Sequence, residues 1–177
     1  YRDNEKKVQW VEREDWVYKT EFIIEDINAE NRIDLVFKGL DTYAHVFING
    51  KNILNADNMF VEYRISNFHQ YLAKGNNVLE VVFRSPLAIE DSLSKAFFKD
   101  TGIENLPVKE RVFTRKAAYH YGWDWSPRFV TCGIWRDAYM EVYNKARLNN
   151  VLIKQSISVD YKNVVLDFET DIYSETD

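Results

Sequence analysis

The chain has 177 residues, enough for one full domain and the start of another, and its 46% hydrophobic and 29% charged residues are the balance of a globular protein with a core. A net charge of −5 without a basic stripe argues against a nucleic-acid partner, and a single cysteine, Cys132, excludes a disulfide framework and any multi-cysteine metal site. No run of about 18 apolar residues is present to form a membrane span.

Aromatic residues reach 15%, which suits a β-rich fold whose pleated faces pack flat and branched side chains, so most are expected in the core. Tyr1-Arg2-Asp3-Asn4 is not a signal peptide and the chain does not open on Met, so any targeting segment is expected to lie outside it. From about Asp15, Trp16, Tyr18, Phe22 and Ile24 share one parity while Lys19 and Glu21 share the other, the alternation of a half-buried strand ending at Ile24. After a polar break at Glu25–Asn31, Ile33, Leu35 and Phe37 line one face of a second strand that stops at Gly39. Thr42–Ile48 is apolar on both faces and reads as a central strand. Asn49-Gly50 then favours the positive backbone angles of a two-residue hairpin turn.

Met59–Ile65 is a further strand candidate, followed by a short helical or turn piece at Asn67–Ala73. Lys74-Gly75-Asn76 is the next turn, leading into a buried strand through Val78, Leu79, Val81, Val82 and Phe83. Pro86 suits the first position of a helix, and Ile89, Leu93, Ala96 and Phe97 recur at helical spacing, so a short helix is predicted from Leu87 to about Phe98. Gly102–Arg111, with Pro107, reads as loop, Arg111–Tyr119 as extended chain, and Ile134–Tyr143 as strand. Finally Val151, Ile153, Ile157 and Val159 alternate, Asp160–Asn163 turns, and Val164, Leu166, Phe168 and Ile172 alternate again. One hairpin is marginal alone, so it is read as the start of a second, truncated domain near Arg147. Many strands, frequent turns and one helix predict an all-β sandwich, with spacing that fits a jelly roll.

Most of the chain reads as scaffold; the exception is His120-Tyr121-Gly122-Trp123-Asp124-Trp125-Ser126-Pro127. Gly122 permits tight backbone geometry and Pro127 discourages ladder pairing, so this is a loop. Indole faces cover the apolar face of a sugar ring, and a carboxylate accepts hydrogen bonds from neighbouring hydroxyls. A buried structural loop, with Asp124 paired to Arg128 or capping backbone N–H groups, suits the same residues, and the residues alone leave both readings open.

Arg115-Lys116-Ala117-Ala118-Tyr119-His120-Tyr121-Gly122-Trp123-Asp124-Trp125-Ser126-Pro127-Arg128, followed by Gly133-Ile134-Trp135-Arg136, resembles the N-terminal sugar-binding domain of family 2 β-mannosidases. Gly-Ile-aromatic-Arg is similar to an element shared with β-galactosidases and β-glucuronidases, whereas Gly-Trp-Asp-Trp points to the mannosidase branch. Phe47-Ile48-Asn49-Gly50 and Gly75-Asn76-Asn77-Val78-Leu79 resemble the family's hairpin and strand entry, and the resemblance spans roughly Trp10 to Tyr143. It implies a galactose-binding-domain-like jelly roll over residues 1–146, its N-terminal part missing. Residues 147–177 would then open an immunoglobulin-like sandwich.

The parent implied is a retaining exo-β-mannosidase, hydrolysing non-reducing terminal β-D-mannosides. Asp124, Trp123 and Trp125 would contact the terminal mannose next to the catalytic barrel of the same chain. His120, Tyr121 and Arg128 stand second, with Arg115 and Lys116 nearby. The family usually has Gly where Ser126 stands, which bears on the shape of the turn. A periplasmic, secreted or lysosomal setting is implied as well.

The catalytic pair of such an enzyme is two carboxyl groups about 5–5.5 Å apart, and the acid/base follows an Asn. The only Asn-Glu here is Asn4-Glu5, in a polar stretch read as solvated coil, so no catalytic residue is assigned and the chain alone is expected to be inactive. His45, His69 and His120 are too scattered for a metal site, no cofactor motif is seen, and Cys132 reads as a small buried residue. Two other roles fit the residues: an independent lectin-like carbohydrate-binding module, and a purely structural sandwich of another family 2 glycosidase such as a β-galactosidase or β-glucuronidase.

Overall fold

A computed structural model describes residues 4–26, 31–99, 111–122, 124 and 126–174. The first alternating segment forms β1 (Trp16–Ile24), an edge strand whose Trp16, Phe22 and Ile24 are half-buried. The next strands are β2 (Arg32–Phe37), β3 (Leu40–Asp41), β4 (Ala44–Ile48), β5 (Lys51–Ala56), β6 (Tyr63–Ile65) and β7 (Gly75–Phe83). A helix then intervenes, and β8 (Gly133–Ile134), β9 (Ala138–Tyr143), β10 (Ala146–Ile157) and β11 (Val164–Ser174) follow. Two antiparallel sheets, in the orders β1-β7-β4-β5 and β6-β2-β9, face each other, with a short β3–β8 pair beside them. Between them lie Leu35, Phe37, Leu40, Val46, Ile48, Phe68, Val81 and Phe83, all buried. The fold is an all-β sandwich, as the strand pattern predicts.

The Asn-Gly turn closes β4 onto β5 with φ of 50° at Asn49 and 79° at Gly50, the left-handed pair such a turn needs. Asn49 does more than turn the chain. Its Oδ1 accepts from Val78 N (2.9 Å) and its Nδ2 donates to Oδ1 of the fully buried Asn77 (2.9 Å). Asn77 in turn bonds both backbone groups of Ala73 at 2.8 Å, so the two family-like segments form one polar knot at the sheet's end.

Several expectations need correction. The stretch Met59–Ile65 supplies strand only at Tyr63–Ile65, because Met59 N and O are taken by Arg115 O and the Trp135 indole. Arg111–Tyr119 is extended only in its middle, where Arg115 bridges Asn58: tight helical turns occupy Arg111–Phe113 and Ala118–Tyr121. The strand over Ile134–Tyr143 breaks at Trp135–Asp137, where Lys38 N bonds Asp137 O (2.8 Å). Asn4–Glu5 begins a short helix, α1 (Asn4–Val8), not coil. The Pro107 loop lies outside the described residues except for its last position.

The predicted helix is present as α2 (Pro86–Phe98), with Ser85 Oγ capping its start by accepting from Ala88 N (3.3 Å). Its buried face is Pro86, Leu87 and Glu90, while Leu93 and Phe97 of the expected apolar stripe are exposed. The reason is Ser85, whose N–H and hydroxyl donate to Asp15 Oδ1 (2.8 Å) and Glu12 O (2.7 Å) and rotate that face inward. Asp34, on the polar parity of β2, is also fully buried. Arg64 Nη1 (3.1 Å) and Asn67 N (3.2 Å) donate to its carboxylate, the partners a buried charge requires.

Candidate functional site

The loop between Tyr121 and Arg128 leaves the sandwich through a pinched base. Phe129 N donates to His120 O (3.0 Å), and His120 Nδ1 meets Phe129 O at 3.1 Å. Gly122 adopts φ +92°, a backbone conformation that L side chains rarely take, which is what calls for glycine at the turn of this arm. Each arm is then anchored to a buried carboxylate from a distant element. Tyr121 donates its hydroxyl to Glu90 on α2, and Arg128 Nε donates to Glu12 Oε2 at 3.1 Å. Charge-assisted bonds of this kind are the stronger class. Burial, then the bond to Glu90, pushes the Tyr121 pKa well above the ordinary phenol value, so the hydroxyl keeps its proton.

Asp124 sits on this anchored loop with its residue exposed to solvent. Trp123 and Trp125 lie outside the described residues. His120, Tyr121 and Arg128, the second-rank candidates, form the loop's base and arms; Arg128, offered by the sequence as a partner for Asp124, reaches Glu12. Ser126 is half-buried and makes a local bond to Pro127 O (3.4 Å).

Beneath the loop's root lies an ion pair that sequence reasoning missed. Lys116 Nζ, with no side-chain exposure, donates to Asp41 Oδ1 and Oδ2 at 2.5 Å each and to Thr131 O at 2.6 Å. All three ammonium protons are thereby used, which is what a buried charge needs to persist. Burial lowers the Lys116 pKa and Asp41 opposes that shift. His120 Nε2 lies 4.0 Å from Asp41 Oδ2. Burial first, then the Lys116 charge, lowers the His120 pKa below 6.5, against the pull of Asp41. Asp41 and Lys116 are 75 residues apart, so no local pattern could have joined them.

Asp41 of this ion pair lines a cavity of 260 Å³, together with Tyr18, Tyr119, His120, Thr131 and Trp135, among others. Cys132 lines it too; it is half-buried, and burial raises its thiol pKa to about 11, so it is no thiolate nucleophile at neutral pH. Among the described residues no group of three or more His, Cys, Asp or Glu could hold a metal ion. Chemically the region offers an exposed carboxylate on an anchored loop, aromatic rings and fixed hydrogen-bonding groups. That suits recognition of a polyhydroxylated ligand.

Comparison with known proteins agrees with this architecture. Residues 1–136 match the family described as glycosyl hydrolase 2 galactose-binding domain-like. A β-mannosidase B of Aspergillus clavatus is 36% identical over 160 residues, covering 90% of this chain and 19% of that protein. The crystal structure of a β-D-mannosidase from Dictyoglomus thermophilum superposes with a TM-score of 0.80 at 36% identity, covering 98% of this chain and 21% of the other. An exo-chitosanase of Amycolatopsis orientalis shares the fold, with a TM-score of 0.69 at 18% identity over 99% of this chain and 18% of its own. The chain thus spans only 19% of the length of the β-mannosidase relative.

Proposed function

Since the chain belongs to the glycosyl hydrolase 2 galactose-binding domain-like family, alongside β-mannosidase relatives, we propose that it is a non-catalytic, sugar-recognising part of a retaining exo-β-mannosidase. In this reading the loop carrying Asp124 meets the terminal mannose, Asp124 accepts hydrogen bonds from adjacent hydroxyls, and Trp123 and Trp125 wall the sugar. A catalytic barrel elsewhere in the parent protein supplies the two carboxyl groups, about 5–5.5 Å apart, that carry out cleavage with retention. Residues 1–146 act as the sugar-binding sandwich, and residues 147–177 open a second sandwich. The chain alone is inactive.

The observation that carries the reading is the exposure of Asp124 on a loop anchored by Tyr121–Glu90 and Arg128–Glu12. A carboxylate needed only to hold the sandwich together belongs inside it, with internal donors. Anchoring the two arms of the loop at Tyr121 and Arg128 lowers the ordering cost of binding. In the full-length parent, Asp124→Ala should lower kcat/KM on an aryl β-mannoside about ten- to hundredfold, the loss of one or two charge-assisted hydrogen bonds. Near-normal kcat/KM in a normally folded variant would remove the substrate-contact role. Micromolar to low millimolar binding of mannose by the isolated chain would instead favour a lectin-like module.

A further inference from the structure

The cavity at the loop's root has chemistry that the Asp124 reading leaves unused. At 260 Å³ it is smaller than the roughly 300–1,000 Å³ of pockets that enclose drug-sized ligands, so it suits one ring-sized unit. Tyr119 is 65% exposed, and its ring stacks on His120 at 4.8 Å, which fixes an aromatic plate at the rim. Trp135 forms a wall, its indole N–H on Met59 O at 2.9 Å and the Arg136 guanidinium over its ring at 4.2 Å.

The polar groups are equally well held. A carbonyl oxygen can only accept, so the His120–Phe129 contact puts the ring proton on Nδ1 and leaves Nε2 as an acceptor. At 4.0 Å from Asp41 Oδ2, that nitrogen is beyond hydrogen-bond range of the carboxylate. Gly133 makes room for the Tyr18 hydroxyl: a Cβ there would lie 2.8 Å from its oxygen. Thr131 adds a second hydroxyl to the lining. One exposed flat ring for C–H faces, one imidazole acceptor and two hydroxyls are groups that can hold a pyranose.

We propose that this cavity is a second saccharide subsite, which takes the sugar unit adjoining the terminal mannose. The proposal rests on the reading of Asp124 as a contact to that terminal unit. Exo cleavage places a single sugar on the non-reducing side of the scissile bond, so every other unit lies on the aglycone side. Tyr119 and His120 lead into the loop that bears Asp124, and Thr131–Trp135 lead out of it. The cavity therefore opens at the root of the arm whose outer part contacts the terminal sugar.

The test uses the full-length parent enzyme and compares kcat/KM for β-1,4-mannotriose with that for β-mannosyl fluoride, whose leaving group is too small to fill the cavity. Tyr119→Ala should lower the trisaccharide-to-fluoride ratio about three- to tenfold, the worth of one aromatic contact, and Tyr119→Phe should restore it. Thr131→Val, which keeps the backbone carbonyl that holds Lys116, should lower the same ratio. A ratio unchanged in Tyr119→Ala and Thr131→Val, whether both rates hold or fall together, would overturn the subsite. Asp124→Ala, measured alongside, should reduce both rates; if it reduces neither, the terminal-mannose reading falls, while the Tyr119 ratio still decides the subsite.

Discussion

His120 bonds Phe129 twice, once through its ring and once through its backbone, and its ring also faces Lys116, Asp41, the Thr131 hydroxyl and the plane of Tyr119. Its folded pKa is lowered, by burial and by Lys116, while the unfolded chain protonates at the ordinary value near 6.5. Between the two values the unfolded state binds more protons, so stability rises with pH there and falls as the solution is acidified through 6.5. The denaturation midpoint should therefore drop between pH 7 and pH 5, and His120→Gln should shrink that drop. Identical pH profiles for the two proteins would show that the imidazole does not contribute. Carboxylates that titrate in the same range are common to both chains, so the difference isolates the histidine.

The elements around the loop show what a sequence conveys and what it withholds. The Asn49-Gly50 turn and the frame of β1, β4, β7, β10 and β11 are legible because alternation and turn chemistry are local. The loop itself is legible from Gly122 and Pro127. Its anchors are not. Glu90 falls within a helix whose apolar stripe suggested a different buried face, and Glu12 lies 116 residues from its partner Arg128. Such pairs exist only once the fold has brought α2 and the N-terminal segment together.

The clamp has a measurable consequence. Tyr121→Phe keeps the ring but removes the donor to the buried Glu90, and should cost about 1–3 kcal/mol in denaturant unfolding. An unchanged midpoint would mean that the hydroxyl is not needed by that carboxylate.

At the scale of the molecule, the hairpin β10–β11 stands apart from the two facing sheets. Leu148, Val151, Ile153, Ile157, Val164, Leu166, Phe168 and Ile172 share one apolar face and are at least 44% exposed. Such a face is normal for half of a sandwich and unusual for a finished surface, which supports reading it as the opening of a second domain. Its tether is Arg147, whose side chain is 10% exposed and lies 3.5 Å from Asp34 and 3.9 Å from Glu141. The guanidinium also sits over the rings of Tyr143 and Tyr173, at 5.7 and 5.1 Å, and those rings meet edge to face. Arg147→Ala should speed amide exchange throughout β10 and β11 while β4 and β7 keep wild-type protection; equal protection in both proteins would locate the tether elsewhere.

Asp34 is shared by Arg64 of the sheet and Arg147 of the hairpin, so one carboxylate grips both sides of the junction. A swivel about residues 144–146 would pull Arg147 away from Asp34, Glu141 and the rings of Tyr143 and Tyr173, while Asp34 would keep Arg64 and Asn67. The joint therefore resists bending by the contacts that Arg147 would lose. The hairpin β10–β11 is thus held at a set bearing to the sandwich through Arg147.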